Sequence, residues 1–91
     1  MDVIYKYGPL EPGGDAIWVA GTPLKLARQG GWPGAHQKLH CWCRVAIAND
    51  GTQLSSTRKV RVIPTGEKYI GEYIDTFLDE SGLVWHLVTA D

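Results

Sequence analysis

The sequence predicts an all-β domain, a small antiparallel barrel or sandwich of six or seven strands. Three observations carry this. Helical periodicity is nearly absent, and apolar residues instead alternate with period two in runs rich in β-branched types. Glycine and proline breaks recur between these runs, at Gly8-Pro9, Gly21-Thr22-Pro23, Gly30-Gly31, Asn49-Asp50-Gly51 and Ser81-Gly82. No internal repeat or low-complexity tract interrupts the pattern.

Taken in order, strand one is expected over residues 3–7, stopped by Gly8-Pro9 and followed by the turn-rich Glu11-Pro12-Gly13-Gly14. Strand two covers 16–20 and strand three 24–29. The stretch 30–35 has too many glycines, with a proline, for regular structure. Strand four, residues 38–48, alternates most clearly. Leu39, Cys41, Cys43, Val45 and Ile47 share a core face, and His40, Trp42, Arg44, Ala46 and Ala48 look outward. Asn49-Asp50-Gly51 is a strong hairpin turn, so strand five, 57–63, is expected to pair with strand four. Strand six runs from about 69 to 78, and Gly71 inside it signals a bulge or a close backbone approach. Strand seven, 83–89, is apolar on both sides and belongs in the middle of a sheet or under two covers.

At 91 residues the chain is read as a single domain, 1–91. A chain of this size buries about 60–65% of its unfolded surface, a thin margin that four Trp and four Tyr help to widen. No run approaches the roughly 18–20 apolar residues of a membrane span. The amino terminus, Met1-Asp2-Val3, is acidic and lacks a small-residue cleavage site. The expectation is a soluble protein of the cytoplasm, in a host cell on the reading below, with no membrane partner.

Net charge is −1, but its distribution is uneven. Lys25, Arg28, Lys38, Arg44, Arg58, Lys59, Arg61 and Lys68 face only Asp50 and Glu67 within their segment, whereas Glu72, Asp75, Asp79, Glu80 and Asp91 follow without a cation. The simpler reading is mutual neutralisation across a sheet. The sharper one is a cationic face offered to an anion.

Several short motifs resemble a small, poorly characterised protein family found in phages and bacterial genomes. They are Ile4-Tyr5-Lys6-Tyr7, Cys41-Trp42-Cys43, Val60-Arg61-Val62 leading to Thr65-Gly66, Tyr69-Ile70-Gly71 and Val84-Trp85-His86. The resemblance covers most of the chain, with gaps at 8–20 and 30–35. It implies a phage-like origin and a compact β fold, and no established activity.

Metal binding is the first chemistry to weigh. His36, His40, Cys41 and Cys43 are all zinc-ligand types. Their spacing matches no finger or ribbon, and His40 and Cys41 leave a strand on opposite faces, so core packing is favoured and neither metal nor cofactor is expected. An i,i+2 disulfide along a strand is geometrically poor. No nucleophile elbow, catalytic-cysteine signature or paired-carboxylate motif is present, and His86 between Trp85 and Leu87 reads as a structural histidine. Catalysis is not expected.

Anion binding is the remaining chemistry. If strands four and five pair, Trp42 and Arg44 lie beside Lys59 and Arg61, with the Thr65-Gly66 turn adding backbone donors and Tyr69 a second ring. Arginine forks phosphates and aromatic rings stack on bases, so these seven residues are the candidate site for a small anionic, nucleotide-like ligand. Trp32, in its glycine-rich loop, either seals the core or meets a partner.

Unpaired strand edges make a homodimer or higher homo-oligomer the expected assembly. With the phage resemblance, the leading expectation is a non-catalytic anti-defence protein that sequesters a nucleotide-like immune signal, of the cyclic nucleotide or cyclic ADP-ribose class. The alternatives are an inhibitor that covers a host defence protein directly, through an acidic 72–80 region or Trp32, and an accessory virion protein.

Overall fold

The computed structural model describes residues 1–29 and 38–90. The expectations for Trp32, His36 and the 30–35 loop lie outside those residues. Seven strands form two antiparallel sheets, and no helix occurs among the described residues. They are β1 (Asp2–Leu10), β2 (Ile17–Ala20), β3 (Thr22–Gln29), β4 (Lys38–Ala46), β5 (Thr57–Pro64), β6 (Tyr73–Leu78) and β7 (Val84–Thr89). One sheet has the order β1-β4-β3 and the other β2-β5-β7-β6, and they do not close into a barrel.

The alternation read from β4 is the one observed. Leu39, Cys41, Cys43 and Val45 are buried and join Leu10, Leu26, Val60, Val62 and Leu87 in the core between the sheets. Burying each Val or Leu contributes about 1.5–3 kcal/mol. A one-residue slip would exchange this row for Trp42 and Arg44, so the register is strongly specified. β7 is internal, flanked by β5 and β6, as its apolar character on both faces requires.

The expected β4–β5 hairpin does not form. β4 has β1 on one edge and β3 on the other, which uses both of its hydrogen-bonding edges. The Asn49-Asp50-Gly51 turn does form: the Gly51 amide donates to the Ala48 carbonyl at 2.9 Å and Ile47 bridges Gln53. The returning arm ends there. The Leu54 amide donates to the Ala46 carbonyl and the Ala46 amide to Ser55 Oγ, after which the chain enters the other sheet.

A second crossing joins β2 to β3 at Gly21, where φ is +78° and an added Cβ would meet the Arg44 carbonyl. Only glycine combines that conformation with so close an approach. The facing edges β3 and β6 are stitched together. The Leu26 amide donates to Asp75 Oδ2 at 2.8 Å, Arg28 donates to Asp79 at 3.0 Å, and the Arg28 guanidinium lies 5.5 Å from the Phe77 ring centre. The Ser81 amide, then Arg28, hold the Asp79 carboxyl below its usual range. Among the described residues, ion pairing between the basic and acidic segments is Arg28–Asp79, since the Arg61–Glu67 pair lies within the basic segment.

β6 begins at Tyr73 and not near residue 69. Gly71, at φ +131°, abuts the Thr89 backbone, so the close approach signalled by that glycine is real and takes the preceding residues out of the sheet.

Two outcomes follow from this packing. Gly21→Ala should lower the thermal midpoint by about 5 °C or more, because a strained φ costs roughly 1–3 kcal/mol and 1 kcal/mol is worth about 4–8 °C in a domain this small. Circular dichroism melts measure it, and an unchanged midpoint would contradict the crossing geometry. Cys41 and Cys43 are fully buried with sulfurs 3.6 Å apart. The hydrogen bond shared with Cys43, and then burial, push the Cys41 thiol well above its ordinary value. Both thiols should resist a disulfide reagent at mildly alkaline pH in the native protein and react promptly after denaturation.

Candidate anion site on the four-stranded sheet

The outward face of the four-stranded sheet follows from register. Val60 and Val62 point into the core, so Lys59, Arg61 and Ile63 point away from it, as do their cross-strand partners Trp18, Val88 and His86. Ile63 and Val88 are nevertheless buried. The segment between β5 and β6 leaves the sheet after Pro64, borders this face beside Lys59, Arg61 and Ile63, and rejoins at Tyr73. It begins with a tight turn in which the Glu67 amide donates to the Pro64 carbonyl at 3.3 Å and Gly66 has φ +95°. Such a turn needs a residue tolerant of positive φ at its third position.

Two depressions flank this strap and share Tyr69. The larger, ≈ 790 Å³, is lined by Lys59, Arg61, Lys68, Tyr69, Ile70 and the small residues Ala16 and Ala90. Three cations around one apolar-floored cleft of ligand size suit an anion carrying a flat ring. Arg61 donates to Glu67 Oε2 at 3.2 Å, so a carboxylate already occupies part of its fork. At the rim, Trp18 is 62% exposed and the Lys59 ammonium sits 5.2 Å from its ring centre.

The smaller depression, ≈ 280 Å³, is lined by Gly66, Glu67, Tyr69, Tyr73, Thr76 and His86, among others. His86 lies between two hydroxyls, with Nε2 2.8 Å from Thr65 Oγ1 and Nδ1 3.0 Å from Thr76 Oγ1. Thr76 Oγ1 is also 2.6 Å from the Tyr73 hydroxyl. Hydroxyls donate or accept by rotation, so either imidazole tautomer fits this chain. The array is a positioned hydrogen-bonding wall. It gives His86 the orienting partners that the sequence alone did not show.

The seven residues expected to form one site are divided. Lys59, Arg61 and Tyr69 line the larger cleft, Gly66 and Tyr69 line the smaller one, and Thr65 holds His86. Trp42 and Arg44 belong to β4, in the opposite sheet, so the expected row of indole and guanidinium beside Lys59 and Arg61 does not exist. The Thr65-Gly66 turn spends the Glu67 amide on the Pro64 carbonyl and the Thr65 hydroxyl on His86. Sequence reading missed Trp18, Lys68, Ile70, Tyr73 and Thr76. Lys68 and Ile70 flank Tyr69 and were within reach of a wider reading, whereas Trp18, Tyr73 and Thr76 join only through strand register.

Cys41 and Cys43 point into the core, while the His40 ring lies on the outer face and its Nδ1 meets the Lys38 carbonyl at 3.0 Å. No group of three or more metal-ligating side chains occurs among the described residues. Among them, no helix is long and apolar enough to cross a membrane. The chain matches no family model, no curated protein and no solved structure.

Because Glu67 competes for the Arg61 fork, Glu67→Gln should tighten inorganic pyrophosphate by about two- to fivefold, the scale of an exposed ion pair. Isothermal titration calorimetry reads this directly. Weaker binding in the variant would show that Glu67 organises the site and does not compete for it.

Proposed function

We propose that the protein binds a small anionic, nucleotide-like molecule, without chemical turnover, in the clefts under the β5–β6 strap. The observation that carries this is the convergence of Lys59, Arg61 and Lys68 on one cleft whose wall, Tyr69, also borders a base-sized, hydroxyl- and imidazole-lined pocket. Phosphates would sit among the three cations, and a ring would stack on Tyr69 with its polar edge toward Thr76, His86 and Tyr73. Arginine supplies two parallel donors to a phosphate, and an aromatic face accepts any base.

The motif resemblance supports a phage setting for this binder. There, sequestering a cyclic nucleotide or a cyclic ADP-ribose isomer would blunt a host immune signal. A homodimer or higher homo-oligomer is part of the proposal, since β1 and β2 are sheet edges. Direct inhibition of a host defence protein through an acidic surface is less well supported. Asp75 is spent on the Leu26 amide and Asp79 on Arg28, which leaves Glu72 and Glu80 as the exposed acids of that stretch.

A panel of cyclic dinucleotides, cyclic ADP-ribose isomers and linear nucleotides, screened by thermal shift and calorimetry, tests the reading. A matching ligand should raise the melting temperature and be recovered intact after denaturation. Arg61→Ala should weaken it about ten- to hundredfold, the range of a charge-assisted hydrogen bond at roughly 1.5–3 kcal/mol, with the fold unchanged. Recovery of a cleaved product would replace sequestration with catalysis. Full affinity in Arg61→Ala would remove the phosphate site.

A further inference from the structure

The outer face of the three-stranded sheet carries a second, independent arrangement. Register places Lys6 of β1 and Lys25 of β3 directly across from Trp42 of β4, one on each side. Directly opposed residues share a face, so Lys6, Trp42 and Lys25 form a row across the sheet. Arg44 follows on the same face of β4, between Ile4 and Thr22, and His40 precedes it, its ring edge-on to the indole at 6.3 Å. Lys38 completes the strand's outward set, opposite Gln29.

Charge on this face is one-sided and unneutralised. Of the nine Lys and Arg residues in the chain, Lys6, Lys25, Lys38 and Arg44 stand here. None of the four is in an ion pair among the described residues, whereas Arg28 and Arg61 each are. Asp2, opposite Ala46, is the one carboxylate on these strands' outward positions, and it sits at the far end. Half-buried Trp42 stands at the centre, with Lys6 and Lys25 on the neighbouring strands to either side.

We propose that this face binds single-stranded nucleic acid, with one base stacked on Trp42 and flanking phosphates held by Lys6, Lys25 and Arg44. A positively charged open sheet with a central aromatic ring is the pairing that single strands require, because their bases are free to stack and their backbone follows the cations. A duplex keeps its bases stacked on one another and gains only the cationic part. A second copy of the chain would bring like charge against like charge. This site is on the sheet opposite the clefts and does not depend on them.

Fluorescence anisotropy with labelled oligothymidylate and oligouridylate at low salt tests it. Saturable binding is expected, with log affinity falling against log salt with a slope of about −2 to −3 for three or four neutralised phosphates. Trp42→Ala should weaken binding about fivefold or more. The double charge reversal of Lys6→Glu and Lys25→Glu should flatten the slope by about 1 to 1.5. Circular dichroism melts confirm the fold of each variant, and the exposed lysine variant carries the test if Trp42→Ala unfolds. Absence of saturable binding, equal affinity for a duplex, or undiminished affinity in both the Trp42 and the lysine variants would overturn the proposal. So would capture by anionic vesicles with no oligonucleotide binding.

Discussion

Both edges of β4 are hydrogen-bonded, and the rest of the architecture depends on that constraint. With β1 and β3 in place, no edge remains for β5, so the chain after the Asn49-Asp50-Gly51 turn must start a second sheet. β5 in turn takes β2 and β7 as its neighbours. The two sheets then bury the alternate residues of β4 against Val60, Val62 and Leu87. Crossing at Gly21 allows β2 and β3, contiguous in sequence, to serve different sheets.

This division sorts the cations into three populations. Arg28 and Arg58 belong to inward-facing rows, with Arg28 held by Asp79 and Phe77. Lys59, Arg61 and Lys68 surround a cleft on one outer face. Lys6, Lys25, Lys38 and Arg44 spread over the other. A net charge of −1 therefore coexists with two locally cationic surfaces, since much of the acid is spent on structural contacts or carried on loops. At physiological salt, fields fade over about 8 Å, so local grouping governs recognition more than the total does.

The strap between β5 and β6 gives a sheet face two depressions. Its exposed residues border the buried Ile63 and leave these depressions on either side of Tyr69. Gly71 lets the strap rejoin against Thr89. The Glu72 amide then donates to the Thr89 hydroxyl at 2.7 Å, fixing the strap's exit. Tyr69 is thereby placed between a cationic cleft and the Thr65–His86–Thr76–Tyr73 hydrogen-bond chain.

The sequence by itself determined the all-β class, the core row of β4, the interior place of β7 and the tight approach at Gly71. Each of these rests on alternation or on backbone conformation, which neighbouring residues dictate. Partnership was decided only by the tertiary structure. Trp42 and Arg44 lie within twenty residues of Arg61 and look like its companions, yet they sit in another sheet because β4 had already filled its edges. Trp18 joins Lys59, and Thr76 joins His86, through pairings between distant segments. A strand's pattern records which of its faces is wet, but not which strand lies beside it, because backbone hydrogen bonds are the same for every partner.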